Sequence, residues 1–187
     1  MKNSFYLIFA CHLMIWNTYA QSISIQERLG YPADTKLLII HADDIGVSHS
    51  ENMATIYAME NGSVNSGSIM VPCPWFGEIV TYSKQNPKWD FGLHLTLTAE
   101  WENYKWDGVL PQNEIPTLLN PDGYFYASVE DVVKHAKAAE VEAEIRAQVQ
   151  RALDMGIDVT HLDTHMRALF SHPDFFGPDF VWGEQWF

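Results

Sequence analysis

The sequence predicts an α/β protein with a parallel-stranded sheet, the first half of a (β/α) TIM-like barrel. Three observations carry that expectation. Short apolar runs alternate with helix-like stretches at intervals that suit right-handed crossover connections. The first run, residues 36–41 (KLLIIH), is continuously apolar, as in a strand covered on both faces. Acids and histidines stand at the ends of three runs, and parallel α/β proteins gather their function at the carboxyl ends of strands. Four such units amount to about half of an eight-stranded barrel, which needs about 250 residues. The chain has 187 residues, so the sequence reads as a barrel truncated toward its C-terminus.

Residues 1–20 read as a secretory signal peptide. Lys2 gives a positive start, residues 5–16 form a short apolar run, and Thr18-Tyr19-Ala20 supplies a small residue at the cleavage point. The run is too short to span a bilayer comfortably. Cleavage would leave residues 21–187 as the barrel domain, secreted or periplasmic, with no stable membrane insertion. Cys73 is then the one cysteine of the mature chain and reads as a small buried hydrophobe.

The elements follow in order. After the strand over 36–41, Ser48 or Ser50 caps a helix that Asn61-Gly62 ends. Residues 66–71 read as the second strand. Pro74 opens a helix running to about Gln85, at the position where a missing N–H costs nothing. Residues 91–97 read as the third strand, and 99–126 as a long loop rich in Trp, Tyr, Pro and Gly. Ser128 begins a helical stretch with acids in its first turn, where they suit the helix dipole, and Gly156 stops it. Its apolar spacing slips over 136–140, which suits two helices. Residues 157–162 read as the fourth strand, and 177–187 show no clear period.

Composition narrows the function. A net charge of -13 repels phosphate backbones, which excludes nucleic acid and argues against anionic membranes. A homodimer is compatible with the sequence.

Three segments carry chemistry: His41-Ala42-Asp43-Asp44, Gly92-Leu93-His94 and His161-Leu162-Asp163-Thr164-His165. A catalytic divalent metal takes three protein ligands and keeps a position open for water. Asp44, His94 and His165 supply such a set. Asp43 remains as a base beside the metal's water, since adjacent side chains of an extended backbone point to opposite sides. Asp163 lies two residues before His165 and is placed to orient a histidine ring. The ligand types leave magnesium and zinc both open. Trp75, Trp101 and Trp106 lie near the same rim, where flat aromatic faces suit sugar rings or pack the loop.

At these residues the sequence resembles the YdjC/ChbG family of carbohydrate deacetylases, which includes chitooligosaccharide deacetylase. Ala42-Asp43-Asp44-Ile45-Gly46 matches the family's Ala-Asp-Asp-aromatic-Gly turn, with Ile in the aromatic position. Gly92-Leu93-His94-Leu95-Thr96-Leu97-Thr98 matches its Gly-x-His-x-x-Leu-Thr segment, and Thr160-His161-Leu162-Asp163-Thr164-His165 its Thr-His-Leu-Asp-Ser-His segment. The resemblance covers about residues 36–172. It implies an irregular (β/α) barrel and metal-dependent removal of acetyl from an N-acetylated carbohydrate. By position it makes Asp44, His94 and His165 ligands of one divalent ion and Asp43 the general base. His161 is a candidate for the acid that protonates the departing amine. Two other readings remain open: another metallohydrolase on the same scaffold, cleaving a phosphoester or a different amide, or an inactive sugar-binding fragment.

Overall fold

The computed structural model describes residues 23–175. The leader expected over 1–20 and the ending 177–187 lie outside the described residues. The described residues divide into two compact units, one ending at Leu38 and the other beginning at Ile39. In the first, Ser24 and Glu27 form a capping box on a one-turn helix, α1 (Ile25–Arg28). Among the described residues no helix is long and apolar enough to cross a membrane.

The second unit is a four-stranded parallel sheet. Its strands are β1 (His41–Ile45), β2 (Ser66–Ile69), β3 (Asp90–Leu95) and β4 (Val159–Thr164), in the order β1-β2-β3-β4. Between them run α2 (His49–Glu60), α3 (Phe76–Gln85), α4 (Val129–His135) and α5 (Ala138–Asp154). Strands that follow one another in sequence and pair in parallel require such crossovers. Ser48 caps α2 by accepting from the Glu51 N–H, and Ser128 caps α4 through Asp131. The slipping period over 136–140 is a true break between α4 and α5.

The first strand differs from its expected position. It starts at His41, where pairing with Ser66 begins, rather than ending there. Ile39 and Ile40 are exposed, at 73% and 46%. A continuous apolar run signals burial on two faces, and that environment belongs to β2 and β3, the inner strands, not to β1. Asp43 and Asp44 therefore lie inside β1 rather than after it. The register shifts between Ala42 and Ile45, and Asp44 takes a left-handed backbone at φ 58°. This bulge turns Asp44 away from regular alternation.

Ile45, Met59, Ile69, Ile79, Leu93 and Leu95 form the buried centre. The long loop is tied down by α5. Glu144 accepts from the N–H groups of Val109 and Leu110 at 2.9 and 3.0 Å. Gln148 donates to the Thr96 carbonyl at 2.7 Å and accepts from the Thr96 N–H at 3.0 Å. Both side chains are fully buried. Gln148→Ala strands two backbone groups of Thr96, so it should cost about 2–4 kcal/mol in urea unfolding, with m unchanged.

Candidate metal centre

Three carboxyl-end positions converge. The bulge delivers Asp44 from β1. His94 comes from β3, where it pairs in register with Asp163 of β4, and His165 follows β4 directly. Asp44 Oδ1 lies 3.0 Å from His165 Nδ1 and 3.4 Å from His94 Nε2. The three ligand atoms all lie within 4.8 Å of one another. Both imidazoles are buried, with side chains 8% and 6% exposed.

The donor set fits a divalent cation. Asp44 Oδ1 is buried, yet neither neighbouring ring nitrogen meets it in hydrogen-bond alignment. An aligned ion pair would satisfy that oxygen; two nitrogens and one oxygen facing a common point suit a cation. The far nitrogens of the rings are engaged elsewhere. His94 Nδ1 lies 2.5 Å from Asp163 Oδ1, and His165 Nε2 lies 3.1 Å from Glu100 Oε2. Each carboxylate accepts the ring N–H and so directs the opposite lone pair inward, at His94 Nε2 and His165 Nδ1.

The electrostatics follow from this packing. Without a cation, the His165 ring and then the His94 ring hold the Asp44 carboxyl far below the usual carboxylate range. Burial pulls the His94 pKa down, but Asp163 and Asp44 outweigh it and raise it to about 9. Burial likewise opposes, and Asp44 and Glu100 override it, in raising His165. At pH 7 the metal-free His94 ring therefore carries an extra proton that an incoming ion must expel. Zinc titrations in buffers of different ionisation enthalpy should show net proton release at pH 7, with affinity rising as pH climbs toward about 9. Glu100→Gln should weaken zinc binding about 10–100-fold by calorimetry, because the His165 ring loses its charged anchor.

Asp43, Asp44, His94, Glu100, His165 and Arg167 line one cavity of about 460 Å³. Asp43 is exposed and, among the described residues, is the lining carboxylate without a histidine against it. Backbone strain collects here. The non-glycine residues with left-handed backbones among the described residues are Asp44, Met166 and Arg167, and all three line this cavity.

The remaining candidates divide. Asp163 braces His94. His161 does not line this cavity; it sits at the amino end of β4, beside Asp90 and His41. Trp106 departs from the expected sugar-facing role: it is 3% exposed, and its Nε1 donates to the Thr98 carbonyl at 2.8 Å, so no ring face is free. Trp75 and Trp101 stay exposed at 41% and 40%. Burial pushes the Cys73 thiol well above its usual range, as suits a buried packing residue. Glu100 was not foreseen. It comes from the loop after β3, where no strand period marks an inward position.

The family described as YdjC-like protein matches residues 37–178. A carbohydrate deacetylase of Thermus thermophilus is 35% identical over 152 residues, covering 81% of this chain and 51% of that protein. A carbohydrate deacetylase of Listeria monocytogenes is 34% identical over 131 residues, covering 68% of this chain and 50% of that protein. A crystal structure from Enterococcus faecalis V583, provisionally named a cellobiose-phosphate cleavage protein, aligns with a TM-score of 0.67 at 27% identity. That alignment covers 74% of this chain and 51% of the other. The chain thus spans about half the length of the relatives it matches.

Proposed function

This chain belongs to the YdjC-like family, and from that premise we propose that it serves a hydrolase that removes acetyl groups from N-acetylated carbohydrates of the chitooligosaccharide type. The convergence of Asp44, His94 and His165 on one buried point carries the proposal. A divalent ion there, zinc or magnesium, would supply a Lewis acid toward the acetyl carbonyl and a more acidic water. Asp44, His94 and His165 would hold the ion, and Asp163 and Glu100 fix the two rings. Asp43 accepts the proton of the attacking water from the open side of the cavity. The exposed faces of Trp75 and Trp101 offer stacking surfaces to sugar rings. In this reading the four-stranded parallel sheet is the first half of an irregular (β/α) barrel. Export through residues 1–20 places the activity in a secreted or periplasmic compartment.

The alternative substrate class is a phosphoester. Arg167 favours it, as a cation held at the cavity wall by a left-handed backbone. Zinc- or magnesium-loaded chain incubated with chitooligosaccharides and, separately, with sugar phosphates decides between them. Acetate release without phosphate release is expected; phosphate release alone would replace the deacetylase reading.

A further inference from the structure

A second group of ligating side chains sits at the opposite, amino end of the strands. His41 opens β1 and His161 lies near the start of β4, with Asp163 two residues further on the same face. Each of the three offers one nitrogen or carboxylate oxygen within 4.8 Å of the other two. His41 Nε2 lies 3.2 Å from Asp163 Oδ2, close to the spacing of roughly 3.3 Å between ligand atoms around a tetrahedral zinc. The two rings meet edge to face, with centroids 5.2 Å apart.

A plain ion pair leaves one atom unexplained. His161 Nδ1 is 2.9 Å from the Thr160 hydroxyl, but His161 Nε2 is buried with no hydrogen-bond partner among the described residues. A buried imidazole nitrogen without a partner is costly unless something binds it. The strand beneath is shaped for this ring. A Cβ at Gly92 would collide with His161 Cδ2 and Nε2, so the absent side chain is what leaves the ring its place. His41, His161 and Asp163 also line their own cavity, of about 370 Å³, with Asp90 on its wall. That volume leaves room for water as a fourth ligand.

We propose that His41, His161 and Asp163 form a second divalent-cation site, separate from the Asp44 centre. Two imidazoles and one carboxylate, the same donor types as at the Asp44 centre, suit zinc or a similar transition metal rather than calcium. Asp163 joins the two sites: Oδ1 braces His94, and Oδ2 faces His41. The inference does not depend on the deacetylase reading.

The test is zinc content after equilibrium dialysis of the full chain, with circular dichroism confirming that each variant folds. The wild type should hold two zinc ions, His161→Ala one and His165→Ala one. His41→Gln should match His161→Ala, which guards against a local distortion in either variant. Cobalt substitution adds a spectroscopic reading: His161→Ala should remove one set of visible d–d bands and His165→Ala the other. One zinc in the wild type, lost in His165→Ala and kept in His161→Ala, overturns the second site alone. One zinc lost only in His161→Ala overturns the Asp44 centre and leaves this one standing. Two zinc ions retained in both His161→Ala and His41→Gln place the extra ion elsewhere and overturn the proposal.

Discussion

His165→Ala should remove one equivalent of bound metal and lower acetate release by about 10³-fold or more. The size of the effect follows from the site's construction. His165 closes the triangle with Asp44 and His94, and its far nitrogen is held by Glu100. Alanine removes an inward ligand and leaves the Glu100 carboxylate, 30% exposed, without its ring partner. A site with two ligands left cannot fix a divalent ion against water. Elemental analysis of dialysed protein reads the metal, and an acetate assay reads the rate. Full metal content in this variant would remove His165 from the ligand set.

Asp43→Asn should behave in the opposite way. The metal stays, because the bulge points Asp44 and not Asp43 at the histidines. The rate falls about 10²–10⁴-fold, the usual worth of a positioned general base, with KM little changed. The pair Asp43→Asn and Asp44→Asn therefore splits the two adjacent acids by kind: one loses turnover with metal intact, and the other loses metal. If both variants lose metal equally, Asp43 is a ligand and the base lies elsewhere.

Much of this site was legible in the sequence because its residue types carry chemistry that apolar patterning does not explain. Aspartates and histidines at the ends of three runs are costly in a core, and the structure brings Asp44, His94 and His165 together. The capping serines at 48 and 128 were legible for the same local reason. What the sequence hid depends on distant contacts. The run over 36–41 is apolar, but strand pairing begins only at His41, and no local pattern reveals where a partner strand starts. Glu100 reaches His165 from a loop, and Met166 and Arg167 adopt left-handed backbones that glycine would have announced. Trp106 reads like its exposed neighbour Trp101, yet only the fold decides which ring is buried. His161 and His165 share one short segment but serve different sites, because His161 lies in the first half of β4 and His165 follows the strand's end.

The most direct measurement is anomalous diffraction at the zinc edge from crystals of the zinc-loaded chain. The account predicts a peak at about 2.0–2.2 Å from Asp44 Oδ1, His94 Nε2 and His165 Nδ1, with Asp43 outside the coordination shell. No peak among those three atoms, in protein whose zinc content is confirmed, would contradict it.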